Sequence, residues 1–323
     1  MKSFTIGKND ANQRADKFIA KVCPLLPKGM MYKYIRIKRI KCNGKRIEIS
    51  QRLNVGDVVE MYVNDEFFGD KKADLSFLDA PDKVNIIFED ENILIADKPS
   101  GLVVHSDESG SYDTLINRIL NYLYKSGEYS PGKELSFTPA LCNRLDRNTQ
   151  GLVICAKNAE ALRIINEKIK SREIKKSYLC ITTDIPKEKQ ACLKAYHSRE
   201  DKIVKIYDSP KNFTKEIITK YRVLAESKAD NLALLEVNLV TGRTHQIRAH
   251  LAHIGCPILG DRKYGINKVS EAYNVKSQAL CAYRLEFDFK ESSGSFDYLS
   301  GKAFTVDEVW FVDKFFPNFK LDI

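Results

Sequence analysis

The sequence predicts an α+β fold in which a mainly antiparallel, mixed sheet follows a small α+β module. Three observations support this prediction. After residue 84, apolar β-branched segments outnumber helical ones, and they do not alternate strictly with helices as in a dinucleotide-binding fold. Within the first 65 residues, the apolar period changes from helical to strand-like. Neither a GxGxxG string nor a phosphate-binding loop occurs, which argues against a nucleotide-binding fold.

The charge of the chain is unevenly distributed. The formal net charge is +9, and residues 28–52 hold nine lysines and arginines against a single acid, Glu48. Such a patch favours a polyanionic partner. The alternative is a solvated lysine-rich face, which charge alone does not exclude.

The cysteines and the apolar segments predict a cytoplasmic protein. Eight cysteines are scattered without a CxxC pair, which indicates free thiols and neither a zinc site nor a disulfide framework. The first residues lack the apolar core of a secretory signal, and no apolar run approaches the ~18–20 residues that span a bilayer. We therefore expect no membrane contact.

The first elements are two short helices and a few strands. RADKFIAKVCPLL repeats apolar residues at helical spacing, and KGMMYKYIRIKRI predicts a second helix rich in bases. IKCNGKRI then predicts a strand, a turn at Asn43-Gly44 and another strand. NVGDVVEMYV predicts a further strand after a turn, which completes a minimal module.

Three strings in this part, RADKFI, YIRIKRIKCNGKRI and RLNVGDVVEMYV, resemble a small RNA-binding module first named from a ribosomal small-subunit protein. The resemblance implies that residues 1–65 are an RNA-binding domain. Bases on a short helix beside a turn can follow a phosphate backbone without reading its sequence. One departure is Lys38, which stands where the family often has glycine. The bases expected to contact RNA are Lys33, Arg36, Lys38, Arg39, Lys41, Lys45 and Arg46.

A linker and a second domain follow this module. Residues 66–83 lack a sustained period and gather Asp, Gly and Pro, which is typical of a linker. In the second domain, residues 84–323, VNIIFEDENILIADKP predicts a strand hairpin. Helices are predicted in YDTLINRILNYLYK and AEALRIINEKIKS, and later strands in KKSYLCITT, TKEIITKYRVLAE, LALLEVNLV and ALCAYRLEFDF.

Three strings of the second domain carry side chains suited to chemistry, although each has a simpler interpretation. KPSGLVVH is by itself a turn with a loop histidine. In NRLDRNTQG, the bases around Asp146 favour its anion, which suits a nucleophile or an electrostatic stabiliser; the alternative is a structural Arg–Asp pair. In KKSYLCI, Tyr178 lies on a predicted strand, where an isolated tyrosine is more often a packing residue.

A fourth string, GRTHQIRAHLAHIGCPILGDRKYG, places bases and three histidines on one predicted helix. The helix is expected to begin near Arg243, with Ile247, Leu251 and Ile254 toward the core and Arg248 at the edge of that apolar stripe. The histidines, at i, i+5 and i+8, do not present a clean pair of metal ligands. Recognition of phosphate or carboxylate is the better interpretation.

These four strings, in this order, resemble the RluA family of pseudouridine synthases over residues 84–290. The resemblance implies a pseudouridine synthase fold for the second domain, with helices and loops around a central cleft. It also implies an enzyme that isomerises uridine within RNA: the bond from nitrogen 1 to the ribose breaks, the base turns, and carbon 5 takes its place. No metal, nucleotide or redox cofactor is implied.

The resemblance also implies roles for individual residues. Asp146 is expected to be the catalytic carboxylate, which either attacks the anomeric carbon or abstracts the neighbouring proton on the way to a glycal; the sequence leaves both routes open. Arg248 is expected to pair with Asp146 and keep it ionised, and Tyr178 to stack under the target base. The residues expected to contact RNA or to support base flipping are Arg144, Arg243 and His245.

Three residues depart from the family's pattern. Asn143 and Cys281 replace usual histidines, and Gln150 replaces a usual serine. Because the catalytic set is retained, we expect an active enzyme. Most members of the family with such a leading RNA-binding module act on ribosomal RNA, so the resemblance implies large-subunit (23S-type) ribosomal RNA as the substrate. We also expect a monomer. The alternatives are a tRNA-directed member of the same family and a non-catalytic RNA-binding factor for ribosome assembly.

Overall fold

The computed structural model describes residues 1–69, 74–106, 110–132, 135–200 and 203–320, which fall into two compact units. Unit 1 consists of Met1–Ile95, His105–Asn143 and Ile154–Lys170. Unit 2 consists of Ala96–Val104, Arg144–Val153 and Ser171–Ile323.

Both units contain helices and strands. The strands are β1 (Lys2–Thr5), β2 (Ile40–Cys42), β3 (Lys45–Arg46), β4 (Val58–Met61), β5 (Asn85–Glu89), β6 (Ile93–Lys98), β7 (Ala140–Leu141), β8 (Gln150–Ala156), β9 (Ile174–Thr182), β10 (Gln190–Glu200), β11 (Ile203–Tyr207), β12 (Lys215–Ser227), β13 (Leu232–Leu239), β14 (Leu280–Phe287) and β15 (Ala303–Thr305). The helices are α1 (Ala15–Val22), α2 (Lys28–Arg36), α3 (Leu115–Lys125), α4 (Ala159–Lys170), α5 (Gln246–His253), α6 (Asn267–Ala272) and α7 (Trp310–Phe315).

The beginning of unit 1 is a four-stranded sheet in the order β1-β4-β2-β3 with α1 and α2. Phe18, Ile19 and Met61 are fully buried in its apolar core. The turn predicted at Asn43-Gly44 joins β2 to β3, with φ angles of 51° and 72°. Positive φ at both positions is the geometry that an Asn-Gly hairpin turn favours. The Gly44 amide donates to the Glu60 carboxylate at 2.9 Å, so this turn is held internally.

The end of α2 explains the unusual Lys38. Lys38 has a φ of 62°, in the left-handed region. The amide of Lys38 donates to the carbonyl of Ile35, and the amide of Arg39 donates to the carbonyl of Tyr34. This is the hydrogen-bond pattern that ends many helices with glycine. Lysine therefore occupies a backbone position for which glycine is the usual residue.

The segment predicted as a linker, residues 66–83, includes residues 70–73, which lie outside the described residues. On either side of them are short 3-10 turns at Asp65–Phe68 and Ser76–Asp79. Phe68 and Phe77 are buried, so both turns attach to apolar surroundings.

The remainder of unit 1 contains the predicted β5–β6 hairpin as far as Ile95 and the helices α3 and α4. The Asp90 carboxylate accepts the amides of Asn92 and Ile93, which fixes the hairpin turn. Thr114 caps α3 by accepting the amide of Asn117. The buried Lys157 ammonium bonds the Glu89 carboxylate at 2.9 Å.

Unit 2 is built on an antiparallel sheet in the order β11-β10-β12-β13-β9-β14. The start of β8 pairs with β14 in parallel, through Gln150 and Gly151. The predicted α+β fold with a mainly antiparallel, mixed sheet is confirmed. Strands β10 and β11 were not among the predicted elements.

Helix α5 packs against this sheet. Ile247 and Leu251 are buried against Tyr178, Tyr221 and other sheet residues, as predicted for this helix. The helix begins at Gln246 and not near Arg243, because His245 before it has left-handed backbone (φ 52°). Within the described ranges, no helix is long and apolar enough to cross a membrane.

Candidate active site

Asp146 lies in the loop between β7 and β8, in unit 2. Its side chain is 30% exposed, and its carbonyl accepts the amide of Thr149. Strand β8 follows the loop, and its second residue, Gly151, has a φ of 124°. A Cβ at Gly151 would lie 2.3 Å from the carbonyl oxygen of Ala282 on β14, so only glycine fits this close strand contact.

A buried lysine holds the loop beside Asp146. The Lys98 ammonium donates to the carbonyls of Pro99 (2.9 Å), Leu102 (2.8 Å) and Arg147 (2.9 Å). The amide of Gly101 donates to the same Arg147 carbonyl at 3.0 Å. Burial lowers the pKa of Lys98 to about 8, against the opposing charge of Asp146. Near neutral pH this lysine is therefore still mostly an ammonium, with three protons to donate.

Arg248 joins two carboxylates. Its Nη1 donates to Asp146 Oδ2 at 2.7 Å, while Nε and Nη2 donate to the two oxygens of Asp261 at 2.7 and 2.9 Å. Burial opposes a charge on Arg248, but the hydrogen bonds and charges of Asp261 and Asp146 outweigh it and raise its pKa. Arg248 was expected at the edge of the apolar stripe and is in fact buried, because Asp261 supplies a buried partner.

His245 also faces the carboxylate. Its Nε2 lies 3.7 Å from Asp146 Oδ2, and its Nδ1 lies 2.8 Å from the Tyr264 hydroxyl. Burial lowers the pKa of His245 despite the nearby charge of Asp146. The imidazole is therefore mainly neutral at pH 7, so Arg248 is the permanent positive charge at Asp146.

Tyr178 on β9 borders the same space. Its side chain is buried, and the register pairs it with Val237. Burial, with the charge of Asp146, raises the pKa of the Tyr178 hydroxyl. The ring is thus a neutral phenol throughout the physiological range.

One open cavity brings the sequence-predicted side chains of this unit together. Its volume is about 90 Å³. Arg144 and Arg243 are exposed at this cavity. The predicted residues that line it are Arg144, Asp146, Tyr178, Arg243, His245 and Arg248. A larger cavity of about 390 Å³, beside Asn267 and Lys276, holds none of these six.

The three histidines of the fourth string do not converge. His250 Nδ1 lies 3.0 Å from the Thr219 hydroxyl, and His253 Nε2 lies 2.7 Å from Asp208. In the part of the chain that the structure describes, no group of three or more His, Cys, Asp or Glu side chains is arranged to hold a metal ion.

The residues predicted to contact RNA in the first module lie together on α2 and the following hairpin. Lys41 is half-buried and the other six are exposed. Arg39 lies over the Tyr34 ring and Lys41 over the Tyr62 ring, at 5.4 and 5.3 Å from the ring centroids. Two of the basic side chains on this surface thus pack over aromatic rings.

Sequence reasoning missed Lys98, Asp261 and Tyr264. Lys98 is the first residue of KPSGLVVH, and its position at the end of an apolar strand was a signal of burial. Asp261 and Tyr264 lie in GDRKYG, but nothing local indicates that Asp261 meets Arg248, thirteen residues earlier.

Similarity to known proteins identifies the family of the chain. The sequence profile of the RNA pseudouridylate synthase family matches residues 92–253. An uncharacterized RNA pseudouridine synthase of Mycoplasma genitalium is 32% identical over 296 residues, 90% of each chain. The chain therefore belongs to the RNA pseudouridine synthase family, as predicted.

Other relatives carry more specific names. A ribosomal large subunit pseudouridine synthase C of Buchnera aphidicola is 34% identical over 295 residues, 88% of each chain. One of Rickettsia bellii is 35% identical over 267 residues, 79% of this chain and 84% of that protein. The solved structure of human RNA Pseudouridylate Synthase Domain Containing 4 has a TM-score of 0.54 at 22% identity, covering 71% of this chain and 90% of that one, which shows the fold.

Proposed function

We propose that this RNA pseudouridine synthase isomerises specific uridines of large-subunit ribosomal RNA and that Asp146 is its catalytic carboxylate. The observation that carries this proposal is the 2.7 Å contact of Asp146 with Arg248 in a cavity bordered by Tyr178. The names of the Buchnera and Rickettsia relatives support a ribosomal substrate.

Asp146 acts in its ionised form. As a nucleophile, it attacks the anomeric carbon and displaces the uracil anion through nitrogen 1. After the base has turned, carbon 5 attacks the same carbon, the carboxylate leaves, and the proton of carbon 5 is lost while nitrogen 1 gains one. In the glycal route, Asp146 instead removes the proton of the 2′ carbon while uracil leaves through nitrogen 1, which forms the glycal. Carbon 5 then bonds to the anomeric carbon, the protonated Asp146 returns its proton to the 2′ carbon, and carbon 5 loses its proton while nitrogen 1 gains one. Either route needs a carboxylate that is partly open to the cavity, and 30% of this side chain is exposed.

The other side chains of the cavity divide the remaining tasks. Arg248 keeps Asp146 ionised and aimed. Tyr178 offers a neutral ring for the target base to stack on, which suits a hydroxyl whose pKa is raised. The exposed Arg144 and Arg243 contact the RNA, with Arg144 filling the gap left by the flipped base. His245 contacts the RNA as a neutral ring at the cavity wall.

The first module adds affinity that does not depend on sequence. We assign residues 1–65 as an RNA-binding domain related to the ribosomal small-subunit module, residues 66–83 as a linker and residues 84–323 as the catalytic domain. The exposed bases from Lys33 to Arg46 support the first assignment. We further propose a cytoplasmic monomer that needs no metal and does not bind membranes; its eight free thiols are consistent with a reducing compartment.

A tritium-release assay tests the catalytic assignment. RNA carrying tritium at carbon 5 of uridine is incubated with wild type, Asp146→Asn and, as a control, Asp113→Asn. Asp113 also forms an ion pair with an arginine, Arg118, but in unit 1. We expect release from wild type and the control only. Equal release by Asp146→Asn contradicts the assignment, and release from tRNA but not from ribosomal RNA contradicts the substrate.

The salt dependence of RNA binding tests the module. Removing one ion pair between a lysine and a phosphate should lower the slope of log K against log salt by about 0.7–0.9. We expect the double variant Lys38→Gln/Lys45→Gln to reduce the slope by about 1.5, while Lys290→Gln, an exposed lysine in unit 2, leaves it unchanged. An unchanged slope in the double variant would mean that the patch is only a solvated face.

A further inference from the structure

Asp261 is a carboxylate at the candidate site for which the proposed function has no task. It lies in the turn between α5 and α6, and its side chain is completely buried. An ionised carboxylate without contact with water is costly unless every oxygen is well paired. Its partners therefore show what it does.

The first set of partners is the guanidinium of Arg248. Nε and Nη2 donate to both oxygens of Asp261, at 2.7 and 2.9 Å. Two parallel bonds fix the plane of a guanidinium. The third donor, Nη1, is then directed at Asp146 Oδ2 at 2.7 Å. The direction of the Arg248–Asp146 bond is thus set from behind by Asp261.

The second set of partners is the backbone of the following turn. Asp261 Oδ1 accepts the amides of Lys263 at 2.9 Å and Tyr264 at 3.2 Å. The hydroxyl of Tyr264 lies 2.8 Å from Nδ1 of His245, whose Nε2 lies 3.7 Å from Asp146 Oδ2. Arg248 and His245, which face this oxygen of Asp146, are therefore both held by Asp261: Arg248 directly and His245 through Tyr264.

The charges of Asp261, Arg248 and Asp146 explain how this arrangement affects the catalytic carboxylate. Burial alone would raise the pKa of Asp261, but the hydrogen bonds and charge of Arg248 outweigh burial and lower it. Asp261 and Arg248 consequently form a neutral pair. Asp146 is aimed by Arg248 without being fully neutralised by it, because the positive charge is already shared with Asp261.

We propose that Asp261 is a positioning residue of the isomerisation, which holds Arg248 and the Tyr264–His245 arm in place at Asp146. This inference rests on the proposed roles of Asp146 and Arg248. It predicts a large effect on the chemical step and a small one on RNA binding, because Asp261 itself is buried and acts on a proposed RNA contact only through His245.

The first test is Asp261→Asn, assayed by tritium release over a range of RNA concentrations. A displacement of about 1 Å at a reacting group can cost about 100-fold in rate. We expect kcat to fall about 100-fold, while KM changes less than about 3-fold. Asp113→Asn is the matched control, since Asp113 accepts two bonds from Arg118 at 2.6 and 2.8 Å in unit 1. The control should keep its kcat.

The second test asks whether Asp261 acts through Arg248. Residues that act as one unit have strongly non-additive effects. In single-turnover assays, Asp261→Asn should lower the rate less than about 3-fold when Arg248→Met is already present. An equal loss in both backgrounds, or an unchanged kcat in the single variant, overturns the proposal.

A third variant covers the case in which Asp261→Asn does not fold. Arg248→Lys keeps the positive charge but cannot form the two parallel bonds to Asp261 together with the bond to Asp146. We expect its kcat to fall as far as that of Arg248→Met, and a kcat near that of wild type overturns the proposal. The variant Asp146→Asn distinguishes a failure of the proposed function from a failure of this inference. If Asp146→Asn is active, the proposed function fails. If Asp146→Asn is inactive while Asp261→Asn is fully active, only this inference fails.

Discussion

Replacing Lys98 with methionine should lower both stability and turnover. Methionine has a similar length but no donor, so the carbonyls of Pro99 and Leu102 lose the hydrogen bonds that Lys98 gives them. The carbonyl of Arg147 loses one bond of two, because the amide of Gly101 still donates to it. At about 1 kcal/mol for each missing bond, the free energy of unfolding should fall by about 2–3 kcal/mol.

The effect on turnover follows from the position of Arg147, directly after Asp146. Once Lys98 no longer holds that carbonyl, the loop can shift relative to Arg248. A shift approaching about 1 Å should lower kcat about 10- to 100-fold. Urea unfolding measures the first effect, and tritium release from labelled RNA measures the second.

Lys157→Met is the matched control for this prediction. Lys157 is also a buried lysine, with partners Glu89, Glu128 and the carbonyl of Asp90, but it lies in unit 1. It should lose stability of the same order and keep its kcat. If Lys98→Met unfolds like wild type, or if both variants lose turnover equally, the reasoning about the loop is refuted.

Two further predictions concern stability. Gly151→Ala should lower the free energy of unfolding by about 3–5 kcal/mol, because it adds a clash with Ala282 to a positive φ. At Gly242 an added Cβ meets nothing within 4 Å, so Gly242→Ala should change the free energy of unfolding by less than about 0.5 kcal/mol in the same urea series. Equal losses in the two variants would contradict the strand geometry. His250 has a pKa lowered to about 4, by burial first and by His253 second. Between about pH 6.5 and 4 the unfolded chain therefore binds a proton that the folded chain does not, and wild type should lose up to about 3 kcal/mol over this range as pH falls. His250→Gln should flatten this part of the pH profile of unfolding, and an unchanged profile would show that another group causes it.

The sequence predicted the elements whose apolar period is regular and missed those that depend on tertiary partners. Helices α3 and α4 and strands β9, β12, β13 and β14 have clear periods and are present as predicted. Strands β10 and β11 were missed because polar residues such as His197 and Ser198 are buried there, which obscures the alternation. The start of α5 was three residues too early, since left-handed backbone at His245 has no local signature.

The candidate site was likewise predicted only in part. Asp146, Tyr178 and Arg248 could be named from strings along the chain, and the structure places them at one cavity. The partners of these residues could not be named, because a buried contact between Arg248 and Asp261 or between Lys98 and the Arg147 carbonyl depends on the folded chain and not on spacing. On local evidence alone, an ion pair of Asp146 with the flanking bases Arg144 and Arg147 was the better interpretation.

Lys38 adds a positive charge to the first module at a cost in its stability. A left-handed residue with a side chain costs about 1–2 kcal/mol relative to glycine. Lys38 stands between the exposed Arg36 and Arg39, so its ammonium makes the row of positive charge continuous at the end of α2. Substitution of Lys38 by glycine would remove one positive charge and raise the free energy of unfolding. A thermostabilised version of this enzyme with glycine here would gain about 1–2 kcal/mol of stability and lose one positive charge from the surface that we propose binds RNA.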